Sequence, residues 1–302
     1  MRSEKRKFND IYNELVEETK EFFVELKRKQ VRNLGLSAIV AIVLTVLVKL
    51  VNGDDFILFI PLALAIMLLG VLLGNYYYRK QYKEIIVGKL IQKYDSDFTY
   101  TQDGGPVTEG DYVTAGFDRN WDSMEKADGI YGTLEDGSRF RMAQITTYKN
   151  VVYLDDQGRK QIKKEQTYKG SFCVVTLNKV IKNQIEITGN SRRLRYNKDR
   201  IEVDSQSFEE EFDMMAKDKV QALRIFTPDV ISIIVSLRER IKVPFRIRIE
   251  GDRLYIKIDN GDIFEPISYK AELSASAILE YYNTIDIPVS LATVIIRGAI
   301  DL

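Results

Sequence analysis

The chain has 302 residues, with 44 basic and 44 acidic side chains and a formal net charge of zero, so overall charge gives no electrostatic case for nucleic acid. It contains no histidine, which removes the commonest general base and the commonest zinc ligand. Its one cysteine, Cys173, leaves no partner for a disulfide within these residues and suits a reducing compartment.

Residues 1–33 read as a cytoplasmic amphipathic helix. Phe8, Ile11, Tyr12, Leu15, Thr19, Phe22, Phe23 and Leu26 recur at three- and four-residue spacings, while Glu14, Glu17, Glu18, Lys20 and Glu21 take the rest of the surface. Residues 34–78 then form a transmembrane helical hairpin. Its runs, Leu34–Val51 and Phe56–Gly74, each have about the length needed to cross a hydrocarbon core roughly 30 Å thick. Only Asn52, Gly53, Asp54 and Asp55 separate them, so they run antiparallel. The mean hydropathy of -0.19 conceals these runs behind a charged majority.

Basic residues flank the hairpin on one side: Lys27, Arg28, Lys29 and Arg32 before it, Arg79, Lys80 and Lys83 after it. The connecting turn is acidic. By the positive-inside rule both termini are cytoplasmic. Tyr76, Tyr77 and Tyr78 stand at the level of an interfacial aromatic belt, and Lys49 reads as a side chain that snorkels to the headgroups. Gly70 and Gly74 form a small-xxx-small pair expected to pack the two spans together. Pro61 is expected to bend the second span near its outer end. Residues 79–94 continue that span as a cytoplasmic helix, with Tyr82, Ile85, Ile86, Leu90, Ile91 and Tyr94 as its apolar stripe, and the two arms pair as a short stalk.

Residues 95–302 read as a cytoplasmic α+β domain with a mainly antiparallel sheet and packed helices. Gly104-Gly105-Pro106 marks a break. Strands are expected at Gly129–Leu134, Arg139–Thr147, Val151–Leu154, Gln161–Tyr168, Ser171–Leu177, Ile185–Ile187 and Ile201–Val203, with turns at Glu135–Ser138 and Asp155–Gly158. Thr227-Pro228-Asp229 opens a helix that buries Val230, Ile231, Ile233, Ile234 and Leu237. Phe245–Glu250 and Arg253–Ile258 alternate about Gly251-Asp252 as a hairpin, and helices follow from Lys270 to about Tyr282 and from about Val289 to Arg297.

Several of these stretches resemble the bacterial family known as domain of unknown function 3137. They are Asp128-Gly129-Ile130-Tyr131-Gly132, Tyr168-Lys169-Gly170-Ser171-Phe172, and Ile201-Glu202-Val203-Asp204 running through Phe208-Glu209-Glu210-Glu211-Phe212 and Asp218–Ala222 to Thr227-Pro228. Leu254–Ile258 and Phe264-Glu265 complete the pattern, which covers about residues 80 to 285. Tyr168 replaces the family's usual phenylalanine, and Met214-Met215-Ala216 departs from its usual stretch. The resemblance implies an N-terminal pair of membrane spans and supplies no activity. It also implies a LemA-type membrane protein as partner.

No catalytic, metal or cofactor set is expected. Cys173 lies in the apolar run Ser171–Val175 and reads as a buried small side chain. Asp95/Asp97, Asp155/Asp156 and Glu209–Glu211 read as turn residues or a solvated helix face, and Phe208 and Phe212 as one buried helical stripe. The clearest signal is charge segregation: 12 bases to 3 acids from Arg159 to Arg200, against 11 acids to 2 bases from Asp95 to Asp136. Arg192, Arg193, Arg195, Lys198 and Arg200 are the candidates for contact with anionic lipid headgroups. The plain alternative is that acidic and basic segments meet inside the fold. The expected function is therefore that of a non-enzymatic binding or scaffold protein at the cytoplasmic face of a membrane. Its alternative is a carboxylate- or lysine-dependent enzyme, with Asp218 and Glu209 as first suspects.

Overall fold

The computed structural model describes residues 8–52, 60–191, 194 and 197–300. The fold is α+β: a long N-terminal helix, a second apolar helix, and an antiparallel sheet with packed helices. It divides into two compact units, one helical (residues 6–93 with 265–278) and one built on the sheet (94–264 with 279–302).

In the helical unit, α1 (Phe8–Asn52) runs without a break through both the amphipathic and the apolar stretch. It pairs with α2 (Ile60–Tyr82), a π-helical turn (Lys83–Val87) and the start of α3 (Gly88–Tyr94). The pairing is antiparallel and keeps register throughout. Going from Ser37 down to Glu14 on α1, the facing residue climbs from Gly70 to Lys93, by way of Gln30–Asn75 and Phe23–Tyr82. Pro61 lies at the edge of the described part of α2, and the residues before Ile60, where the expected bend would show, lie outside the described residues.

The sheet is organised by one strand. β4 (Lys160–Gly189) is 30 residues long and lies beside three others. β3 (Arg139–Leu154) pairs with it from Lys160 to Thr176, β7 (Phe245–Ile258) from Ser171 to Ile187, and β6 (Phe212–Ala216) from Ile185 to Gly189. β2 (Ser123–Thr133) and β1 (Thr99–Thr101) continue beyond β3, and β5 (Arg200–Ile201) beyond β6. Five stretches expected as separate strands are thus parts of β3 and β4. The Gly251-Asp252 turn is not a reversal: Ile249 pairs with Ile185 and Leu254 with Val175, so both halves of β7 follow the same neighbour. Gly251, at φ +63°, instead sits opposite Ile181, where the ladder shifts register, and supplies the bulge.

Both faces of the central strands are buried, which is why Phe172–Val175 reads as a continuous apolar run. On one face Ala143, Ile145, Phe172, Val174 and Tyr255 meet α4 (Glu109–Ala115) and its flanking loops through Val107, Tyr112, Ala115 and Phe117. The other face presents Phe140, Met142, Cys173, Val175, Leu254 and Ile256. There Phe98 stacks on Phe140, and the rings Tyr94–Tyr282 and Phe264–Tyr281 tie in α8 (Ala275–Ile300). The two C-terminal helices expected from sequence are this single helix, which continues through Pro288. α7 (Pro228–Ile241) buries Val230, Ile231, Ile234 and Leu237 as expected, while Ile233 is exposed. The Phe208/Phe212 pair is not one helical stripe. α5 (Gln206–Glu211) ends before Phe212, whose extended backbone opens β6, although the two rings still touch at 5.2 Å.

Candidate functional site

The apolar length of the helical unit is the most site-like feature of the chain. Phe8–Val51 and Ile60–Tyr94 both contain a stretch long and apolar enough to cross a membrane. Along these stretches the large aliphatics face outward. Ile42 and Leu68, at 63% and 58% exposure, are typical. Buried residues there are small: Ala41, Ala63 and Gly74. A Cβ on Gly70 would stand 2.1 Å from the Ser37 Oγ, and one on Gly74 3.2 Å from the Gln30 Oε1, so both glycines set the approach of α2 to α1. The polar side chains of Ser37, Thr45 and Gln30 are satisfied within the helix pair. The Ser37 and Thr45 hydroxyls donate to carbonyls four residues earlier, and the Gln30 amide donates to Asn75 at 2.7 Å. Lys49 is exposed in the last turn of α1.

The three consecutive tyrosines divide. Tyr76 and Tyr77 are exposed with their rings in edge contact, whereas Tyr78 is buried and its hydroxyl donates to the Ile267 carbonyl at 2.6 Å. That carbonyl belongs to a segment, residues 265–278, that straps the two arms. Lys27 donates to the Ala271 carbonyl, Tyr12 to that of Leu273, and Arg79 pairs with Glu265. Below it the stalk buries Ile11, Leu15, Phe23 and Leu26 against Tyr82, Ile86, Leu90 and Ile91, and Lys93 bridges Glu14 and Glu18.

In the sheet unit the polar side chains mostly hold loops in place. Asp111 closes a capping box with Thr108 at the start of α4 and receives Arg141 from β3 and Arg253 from β7, at 2.8 to 3.2 Å. Burial pushes its carboxyl up, but Arg141 and Thr108 outweigh that and hold it below the ordinary carboxylate range. Asp118 behaves alike. Burial raises it, while bonds from Lys257 (2.7 Å) and the Tyr112 hydroxyl (2.7 Å) bring the net shift down. Lys257 is itself buried, 3.9 Å from the centre of the Tyr168 ring. The acidic segment thus meets bases from β3 and β7 at these two points. Cys173 is fully buried, and burial pushes its thiol far above the usual range.

Of the basic candidates, Arg192, Arg193 and Arg195 lie outside the described residues. Lys198 is exposed in a turn. Arg200 is turned into the fold, where its Nε donates to the buried Asp213 at 2.7 Å and its far end pairs with Glu209. Glu209 also accepts from the Val203 amide, and Asp218 caps α6 (Lys219–Ile225) by accepting from the Gln221 amide. These two carboxylates therefore serve the fold in the positions given to them. A shallow depression along α1, lined by Tyr12, Val16, Glu17, Lys20 and Glu21, contains neither. Among the described residues no three His, Cys, Asp or Glu side chains are grouped to hold a metal ion. Sequence reasoning missed the Asp111–Arg141–Arg253 and Asp118–Lys257 clusters. Only the Thr108-x-x-Asp111 spacing, a capping-box pattern, marked either in advance.

Residues 166–295 match the model of a family described as protein of unknown function (DUF3137). No curated protein and no solved structure matches the chain. The matched segment begins just before Tyr168 and takes in the later motifs, while Asp128–Gly132 precedes it.

Proposed function

Since residues 166–295 match the DUF3137 family model, we propose that the protein is anchored in a bacterial cytoplasmic membrane by the α1–α2 hairpin. There it works as a non-enzymatic binding or scaffold protein at the cytoplasmic face. One observation carries this reading: two helices long and apolar enough to span, whose large side chains face outward. Aliphatics exposed over such a length are costly in water and at home in lipid. Orientation follows from the bases at Lys27–Arg32 and Arg79–Lys83 against the acidic Asp54-Asp55 turn, which puts both termini inside. Exposed bases such as Lys198 then lie on the side of the anionic leaflet. A LemA-type membrane protein is the partner to seek first.

The test uses the full-length chain with a C-terminal tag in vesicles of both orientations. Protease should remove the tag from inverted vesicles and spare it in right-side-out ones, with the protein resisting extraction by alkaline carbonate. Cleavage from the outside of right-side-out vesicles would reverse the topology, and extraction by carbonate would end the anchor reading.

A further inference from the structure

The β3–β4 hairpin changes character along its length. Past the register shift at Thr147/Tyr148, the strands run on as a ribbon, Tyr148–Leu154 against Lys160–Gln166, closed by the turn at Asp155–Arg159. Pairing with β2 ends at Tyr148 and pairing with β7 begins only at Ser171, so two strands continue alone. Every residue from Lys160 to Thr167 is exposed. A bare two-stranded ribbon is marginal in water, and this one is not composed like a solvated arm.

Cross-strand pairing sorts its side chains by face. Asn150 with Lys164, Val152 with Ile162 and Leu154 with Lys160 share one side. That side presents three large aliphatics and two lysines, and no acid. Val152, Leu154 and Ile162 are 59%, 66% and 71% exposed. At the base of the ribbon Glu125 accepts from the Tyr148 hydroxyl and Asp122 from the Asn150 amide, and the acids nearer the tip are placed elsewhere. Asp155 accepts from the Gln157 and Arg159 amides inside the turn, Asp156 belongs to that same turn, and Glu165 lies on the opposite side with Lys163.

We propose that this face of the ribbon is an interfacial membrane-binding element for anionic phospholipid. Val152, Leu154 and Ile162 enter the boundary between headgroups and acyl chains, and Lys160 and Lys164 meet the headgroup charge. The inference rests on the reading of the chain as bilayer-anchored, because the anchor keeps the ribbon at a high local concentration of lipid. Charge chooses this occupant over a second copy of the chain: two such faces laid together would set lysine against lysine without an acid between them.

The test is made on full-length protein in nanodiscs of phosphatidylcholine alone or with phosphatidylglycerol added. An environment-sensitive fluorophore is attached at Leu154→Cys, and the buried Cys173 leaves that position open to selective labelling. The expected result is blue-shifted emission and several-fold weaker quenching by aqueous acrylamide in the anionic discs only. Lys160→Glu with Lys164→Glu should abolish the protection. A label at Val220→Cys, an exposed position on α6, should stay quenchable in both discs. Equal quenching at residue 154 in both lipids would overturn the proposal, as would protection that requires two chains per disc. Failure of the anchor itself would be seen separately, as protein that does not co-purify with the discs.

Discussion

Two lengths of the same helical hairpin treat their apolar side chains in opposite ways. Along Leu36–Val51 and Ile60–Gly74 the large aliphatics are turned outward, and among the described residues there those buried are small: Ala41, Ala63 and Gly74. From Phe23 to Ile11, and from Tyr78 to Ile91, the large residues are buried and charges cover the outside. The antiparallel register carries on from one length to the other, so it does not cause the difference. It comes from the pattern: apolar all round in the first length, a stripe in the second. With the apolar length in lipid, as proposed, burying an aliphatic against a neighbouring helix gains little over leaving it among acyl chains, which fits two helices that approach through glycine and alanine. In water the stalk is held by burial.

That contrast is tested most severely by one truncation made at two places. Leu90→Ala, at a fully buried stalk position, should cost about 2–5 kcal/mol, the range for a leucine removed from a packed core. Leu47→Ala, on the outward face of α1, should cost less than about 1 kcal/mol. Denaturant titration of the full chain in detergent micelles measures both. Equal losses would mean that the outward face of α1 is covered by protein.

The hairpin was also the most legible part of the chain, because a long apolar run and a four-residue stripe each extend over many turns. Leu15, Thr19, Phe23, Tyr82, Leu90 and Ile91 are buried as their spacing requires. Legibility fell where tertiary pairing overrode local signals. Asp252 beside Gly251 looks like a hairpin turn, yet β4 carries a matching irregularity and the strand runs on. No element is legible between residues 95 and 122 because β1 and α4 are too short for periodicity to register, at 3 and 7 residues. The charge clusters were illegible for a different reason. Asp111 meets Arg141 and Arg253 only after three distant segments have been brought together by the sheet.

The same comparison can be sharpened with charge in place of bulk. Glu18 faces solvent beside Lys89 and Lys93, whereas Asp111 is buried beside two guanidinium groups. Asp111→Ala removes half of a capping box and takes the shared carboxylate from Arg141 and Arg253, both partly exposed, for about 2 kcal/mol in all. Glu18→Ala should leave stability essentially unchanged. The pH dependence has a definite sign. Asp111 and Asp118 titrate lower when folded than when unfolded, so their stabilisation is complete above the ordinary aspartate value of about 3.9. It is lost as the pH falls through their depressed folded values. Unfolding curves on the acid side should therefore converge for wild type and Asp111→Ala, and curves that stay parallel would remove the buried-carboxylate account.

The smallest effect is expected inside the apolar length itself. If small residues set the approach of the spans, Gly70→Ala should cost about 1 kcal/mol, because its methyl group would meet both the Oγ and the Cβ of Ser37, at 2.1 and 2.7 Å. Gly74→Ala should cost less, since the nearest atom, 3.2 Å away, is the end of the longer Gln30 side chain. Ser37 separates the steric reading from a polar one. Its hydroxyl donates to Asn33 within its own helix, so no bond across the hairpin depends on it. Ser37→Ala should then rescue Gly70→Ala only in part, because the Cβ remains, while Ser37→Gly should rescue it almost fully. Full rescue by Ser37→Ala would place the whole conflict at the hydroxyl. No rescue by either variant would mean that Gly70 acts on some other surface, and that α1 and α2 are held together by something besides the closeness of their backbones.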